Sequence, residues 1–255
     1  PAGAGAAALA NKRALGYLSW RRRRRFIHRR EVLAALVADI RAHGPGQIAV
    51  TGDLTQVGLP AECEDALAWL EDLAPEARSL EGFLFPDTYR FAIGIDANTA
   101  ARHLVSRFLD VWNQERLAAG KLWGTPLEVV TLASLVEAET SIEEERAVIA
   151  GVFRNRLRRG MLLQCDLTVV YALKRRGEWQ GRLLRVHWTV DDPYNTYRSP
   201  GLPPGPINSP GRASIVATSD PERHDYFYFV ASGNGRHHFS KTLRQHNIAV
   251  RRANP

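Results

Sequence analysis

The sequence predicts an α+β fold: a helical part with a small β-sheet, preceded by a partial α/β fragment. Three observations predict it. Long stretches of helical apolar period occupy residues 97–118, 126–140 and 142–159. Short β-branched and aromatic runs stand at 48–51, 162–172 and 226–231 and read as strands. A Pro/Gly/Asn-rich loop covers 191–211. An ordered loop of that length inside a compact domain is usually functional.

Each element has its own local reason. Residues 1–10 are Ala/Gly-rich and carry no element. Positions 32, 33, 36, 37 and 40 are apolar, which gives a helix over 31–43 with Gly44 as its stop. Ile48 to Thr51 reads as a buried strand that leaves into Gly52-Asp53. Pro60 opens a helix through about Leu73, so 31–73 reads helix–strand–helix. Residues 80–89 are aromatic-rich and loop-like. Ala101, Leu104, Val105, Phe108, Val111 and Trp112 supply the apolar face of the long helix. Pro126 starts the next one. Ser141 with Glu144 fits a capping box for the helix after it, and Gly160 can end that helix.

Composition bounds the function classes. A chain of 255 residues with 45% hydrophobic content buries a real core, and disorder is not its default. The net charge of +7 is concentrated in Arg21 to Arg25 with Arg29 and Arg30. A run of this kind reads as a solvated helix face, and no nucleic-acid partner is expected. Cys63 and Cys165 lie far apart and make no disulfide framework or zinc spacing. His237-His238 has no third ligand nearby, so no metal is expected there. No stretch approaches the roughly 18 apolar residues of a membrane span. The chain starts at Pro1 without Met and reads as a piece whose natural start lies upstream.

The chemistry concentrates in the second half. Along the helix that contains Leu132, a step of about 100° per residue puts Glu139 at about −20° from Leu132, on the apolar stripe. Glu137 falls at about +140°, on the other face. A carboxyl at the end of an apolar stripe is desolvated and holds its proton toward neutral pH. A general acid for a glycosidic bond needs that property. The alternative is a helix-end carboxylate paired with Arg146 or Arg154. Rigid turns with neutral hydrogen-bonding groups follow, and together these residues suit a carbohydrate-cleaving enzyme.

At these residues the chain resembles the YceG-like family of endolytic murein transglycosylases. The resemblance runs from Leu80 to about Val250. It rests on Leu-Glu-Gly-Phe-Leu-Phe-Pro-Asp-Thr-Tyr (80–89), Ala-Ser-Leu-Val-Glu-Ala-Glu-Thr (133–140) and Val-Phe-Arg-Asn-Arg-Leu (152–157). Gly-Met-Leu-Leu-Gln-Cys-Asp (160–166), Tyr-Asn-Thr-Tyr (194–197), Gly-Leu-Pro-Pro-Gly-Pro-Ile (201–207) and Tyr-Phe-Tyr-Phe-Val-Ala (226–231) continue it. It implies a lysozyme-like helical catalytic part and a bacterial enzyme of the inner membrane, facing the periplasm. It implies a non-hydrolytic cut between N-acetylmuramic acid and N-acetylglucosamine in peptidoglycan strands, leaving 1,6-anhydro ends. It implies that no cofactor is needed. The cell-wall synthesis machinery is the implied partner. The family's catalytic Glu matches Glu139, with Glu137 as runner-up. By match and by chemistry, Gln164, Asp166, Thr168, Asn195, Thr196 and Tyr197 would hydrogen-bond sugar hydroxyls or acetamides. Each of them can instead be a turn-stabilising polar residue. The sequence departs from the family where Leu167 replaces a Pro, and in lacking the membrane helix and the LysM-like module that normally precede this segment.

Residues 11–73 resemble something else, a calcineurin-like metallophosphoesterase. There Asp53 of Gly52-Asp53 would bridge two metal ions, but the other ligand motifs are missing. The expected division is therefore an inert truncated fragment over 1–78 and a catalytic domain over 79–255. Three alternatives remain: a metallophosphoesterase, a glycan-binding domain without catalysis, and nucleic-acid binding through residues 20–30.

Overall fold

The computed structural model describes residues 48–51, 70, 73–91, 95–120, 122–232 and 235–253. In chain order the first elements are β1 (Ile48–Thr51), β2 (Thr88–Phe91), α1 (Ala97–Ala119), α2 (Pro126–Glu139) and α3 (Glu143–Arg158). Then come α4 (Asp166–Arg175), a short 3-10 helix (Arg185–Thr189), α5 (Arg212–Ser219), β3 (Tyr228–Ala231), β4 (His237–Ser240) and α6 (Leu243–Ala253). The strands form two antiparallel pairs, β1 with β2 and β3 with β4. Helices with small antiparallel sheets make the class α+β, as expected.

Helix α2 organises the core. Pro126 at its first position has no N–H to leave unpaired. Thr125 Oγ1 accepts from the Glu128 N–H at 3.3 Å, and Glu128 Oε2 accepts from the Thr125 N–H at 2.8 Å. This reciprocal cap fixes the start of the helix. Every residue from Val129 to Val136 is buried. A helix apolar all round sits inside a core rather than on it. Val129, Val130 and Ala133 face one cluster with Phe83, Phe85, Phe108 and Trp112. Leu132, Leu135 and Val136 face a second, with Ile149, Phe153, Leu163 and Cys165. Phe229 of β3 and Phe239 of β4 close the second cluster. The C-terminal end of α2, which carries Glu137 and Glu139, therefore emerges at the rim of that cluster.

Gly82 shows how closely the 191–211 loop seats on this core. Its φ is +90°, and an added Cβ would lie 2.3 Å from Pro206 Cγ. Only glycine fits a left-handed position under such a contact.

Three local expectations are corrected. Residues 166–175 are helical rather than part of a strand over 162–172. The Thr168-Val169-Val170 run suggested β structure, but Thr168, Val169, Ala172 and Leu173 are the buried positions, which is a helical face. Residues 88–91, inside and just beyond the expected loop, form β2. The N-cap of α3 is Ile142, with no side-chain cap, so the Ser141/Glu144 box does not form. Thr140 Oγ1 instead accepts the Ile142 N–H at 3.0 Å. Leu167, where a Pro was expected, packs against the second cluster.

The helices expected at 31–43 and over most of 60–73, the Arg run and Asp53 lie outside the described residues. Two contacts do cross the boundary expected between 78 and 79. β1 pairs with β2, with Ile48 opposite Phe91 and Thr51 opposite Thr88. Leu70 and Ala74 pack into the first cluster beside Phe83.

Candidate active site

The two carboxylates near the end of α2 go to different places. Glu137 Oε2 accepts from the Gly211 N–H at 3.2 Å and from Ser214 Oγ at 2.7 Å. Gly211 is the N-cap of α5, so this carboxylate sits at the positive end of that helix. Arg146 Nη2 lies 3.9 Å from Glu137 Oε1, and Arg146 Nε donates to Ser214 Oγ at 3.1 Å. Glu137 is thus anchored in the packing of α2, α3 and α5.

Glu139 turns to the other side and meets the Cys165 thiol, with Asp166, His237 and Arg156 around it. Burial is the main cause that pushes its carboxyl above the ordinary range. The thiol hydrogen bond opposes this, the Asp166 charge adds to it, and His237 and Arg156 oppose it. The net effect is a carboxyl pKa above the ordinary carboxylate value. The expected ion-pair alternatives are not formed. Arg146 faces Glu137, and the Arg154 guanidinium lies 3.9 Å over the Trp123 ring. Arg156 Nε donates to Phe227 O at 2.6 Å, and its Nη1 donates to Leu163 O at 2.8 Å and Leu162 O at 3.3 Å. A cation held by carbonyls stands near Glu139 without closing on it.

The six expected substrate residues divide into inward and outward groups. Thr168, Asn195 and Thr196 are buried. Thr168 Oγ1 donates to Cys165 O at 2.7 Å and lies 2.9 Å from Thr196 Oγ1. Thr196 Oγ1 accepts the Cys165 N–H at 3.0 Å. Asn195 Nδ2 donates to Trp188 O at 3.0 Å and Val190 O at 2.7 Å, and its Oδ1 accepts the Tyr197 N–H at 3.0 Å. In this conformation these three side chains serve the protein itself. They lock the 191–211 loop to the start of α4. The outward group is Gln164, Asp166 and Tyr197. Gln164 is exposed and sits at φ 49°, a left-handed position unusual for a side-chain-bearing residue. Its N–H donates to Thr196 O at 3.1 Å. Tyr197 Oη donates to Asp166 Oδ1 at 2.6 Å.

Residue-by-residue reading of the sequence missed two groups here. Trp188 Nε1 also donates to Asp166 Oδ1, at 3.1 Å, and its ring stacks on Tyr197 with centroids 5.2 Å apart. No periodicity marks it, since it lies in a short 3-10 turn. Glu145 and His237 form a buried pair: His237 Nδ1 is 2.7 Å from Glu145 Oε2, and the His237 N–H donates to Glu145 Oε1 at 3.1 Å. Burial raises the Glu145 pKa, but the two His237 hydrogen bonds outweigh it, and the net shift is downward. A lowered carboxylate stabilises the fold above its unfolded pKa, and that stabilisation disappears as pH falls through the folded value. Glu145→Gln is therefore expected to cost about 2 kcal/mol at neutral pH. The gap to wild type should narrow in urea melts at progressively more acid pH. A gap that stays constant with pH would refute the ionic origin. Among the described residues, no group of three or more His, Cys, Asp or Glu is placed to hold a metal.

At the end of this core helix Glu139 is thus a partly buried carboxyl with a raised pKa, next to Cys165 and the exposed Asp166. Comparison with known proteins gives that site a family. A profile of the YceG-like family matches residues 24–252. The endolytic murein transglycosylase of Bacillus subtilis is 39% identical over 176 residues, which cover 67% of this chain and 47% of that protein. The endolytic murein transglycosylase of Streptococcus pneumoniae serotype 2 is 33% identical over 180 residues, 67% of this chain and 32% of that protein. The crystal structure of a YceG-like protein from Listeria monocytogenes aligns with a TM-score of 0.63 at 34% identity, over 74% of this chain and 65% of that one. The chain belongs to the YceG-like family. It spans about half, or less, of the length of the two curated relatives. The match begins at residue 24 rather than at Leu80, so it runs through most of the stretch read as a metallophosphoesterase fragment. That reading of 11–73 finds no support.

Proposed function

We propose that this chain is an endolytic lytic transglycosylase of peptidoglycan, with Glu139 as its single acid–base group. The observation that carries the reading is the environment of Glu139. It is a desolvated carboxyl on which, among the described residues, no ion-pair partner closes, in a chain whose relatives are named endolytic murein transglycosylases. The protonated carboxyl donates to the glycosidic oxygen as the bond from that oxygen to C1 of N-acetylmuramic acid breaks. The N-acetylglucosamine side leaves with the proton as a free hydroxyl. The Glu139 carboxylate then takes the proton of the sugar's own C6 hydroxyl as O6 bonds to C1. The product is a 1,6-anhydro end, Glu139 is protonated again, and no water is consumed.

The fold suits a lysozyme-like division of labour, with the acid on a core helix and the β3–β4 pair across from it. Residues 79–255 are the catalytic unit in this reading. Gln164, Asp166 and Tyr197 face the glycan, while Thr168, Asn195 and Thr196 hold those three in place. The enzyme acts in the bacterial envelope, beside the cell-wall synthesis machinery. Among the described residues no helix is long and apolar enough to cross a membrane.

The test is digestion of purified peptidoglycan with the chain and mass spectrometry of the released ends. Anhydro ends are expected. Reducing ends would mean water is the nucleophile, and the proposed mechanism would fall.

A further inference from the structure

We propose that Trp188 and Tyr197 form a stacking plate for one N-acetylhexosamine ring beside Glu139, with Asp166 shared between plate and sugar. This rests on the glycan-cleaving reading above and adds a binding residue to it. The two rings lie nearly parallel, 14° apart, with centroids separated by 5.2 Å. Both of their polar atoms point at the same carboxylate oxygen. Trp188 Nε1 reaches Asp166 Oδ1 at 3.1 Å and Tyr197 Oη reaches it at 2.6 Å. One oxygen therefore fixes the orientation of both rings. The other, Oδ2, takes no hydrogen bond from the described residues. Asp166 is exposed, and Trp188 and Tyr197 are partly so.

The place of the plate argues for its use. Asp166 is the residue after Cys165, whose thiol meets Glu139, and its charge is felt at Glu139. Two further apolar side chains of the same segment, Leu184 and Val186, are 45% and 65% exposed. Exposed apolar side chains in the turn that carries Trp188 offer apolar surface for a sugar face to meet. The faces of a β-linked N-acetylhexosamine carry axial C–H groups, which suit an aromatic ring. Its equatorial hydroxyls and acetamide N–H lie at the rim, where a free carboxylate oxygen can accept them. The same carboxylate disfavours a phosphate-bearing ligand. The pinned geometry also limits the ordering cost on binding, because the rings are already held.

The test uses glycan strands freed of their peptides, titrated calorimetrically into the Glu139→Gln chain so that nothing is turned over. Trp188→Ala is expected to weaken binding roughly tenfold, and Trp188→Phe by no more than about threefold. In the chain with Glu139 intact, Trp188→Ala should raise KM more than it lowers kcat. Glycan should also quench tryptophan fluorescence, and the quench should vanish in Trp188→Phe, which decides the matter even if the alanine variant folds poorly. Unchanged affinity in Trp188→Ala, or a quench that persists in Trp188→Phe, would overturn the plate and leave Glu139 untouched. Plate-dependent binding by a chain that cleaves nothing would uphold the plate and overturn the catalytic reading. No binding and no quench at all would overturn both.

Discussion

Glu139→Gln is expected to lower the rate of glycan cleavage by roughly 10²- to 10⁴-fold, the usual worth of a positioned acid–base group. The loss should sit toward the upper end, because the same carboxyl first gives a proton and then takes one. The amide is nearly the same size, so the fold should survive. Stability should even rise at neutral pH. Burial holds the Glu139 pKa above the ordinary carboxylate range. A group with a raised folded pKa favours the fold below its unfolded pKa, and that contribution disappears as pH rises through the folded value. The neutral amide removes this penalty. Thermal melts of the two proteins should therefore separate on the neutral side and converge in acid. Glu137→Gln is the control. It weakens the contacts to Gly211 and Ser214 and should lower stability while cleavage persists. Cleavage lost in Glu137→Gln but kept in Glu139→Gln would reverse the assignment.

What the sequence revealed about this site follows from the range of the forces involved. Helical period placed Glu139 and Glu137 on different faces of one helix, and the structure sends them to different partners. The three long helices were legible for the same reason, since apolar spacing is a local signal. Residues 162–172 misled because a β-branched run satisfies both a strand and the buried face of a short helix. Burial of Thr168, Val169, Ala172 and Leu173 follows the helical spacing, and which of these positions is covered is set by tertiary packing rather than by the local run. The hydrogen-bonding residues of 164–197 were legible as a set but not as roles. Which of them face inward depends on how the 191–211 loop folds back onto α4. That is set by pairs such as Thr168 with Thr196, 28 positions apart. The Glu145–His237 pair spans 92 positions and left no local trace.

Arg156 is a residue whose loss should damage the fold. It is 7% exposed, yet it is a cation. Burial draws its pKa down, while Tyr228, Tyr197, Cys165 and Glu139 oppose that. Such a group is tolerated inside because its fork meets three carbonyls: Phe227 O just before β3, and Leu162 O and Leu163 O just before α4. Its guanidinium also lies 5.1 Å from the Tyr228 ring centroid. One side chain on α3 thereby joins the β3–β4 pair to the segment that presents Cys165 and Asp166 to Glu139. Arg156→Met keeps much of the volume but leaves those carbonyls without their donors. The cost should be about 3 kcal/mol, read as a lower urea midpoint. Arg156→Lys should recover only part of it, because an ammonium on a flexible stem cannot serve both sides of the fork. Cleavage should fall with stability in the methionine variant, since the wall that desolvates Glu139 loosens with the fork. A methionine variant as stable as wild type would mean that these carbonyls find water, and that the apolar clusters alone hold the sheet against the helices.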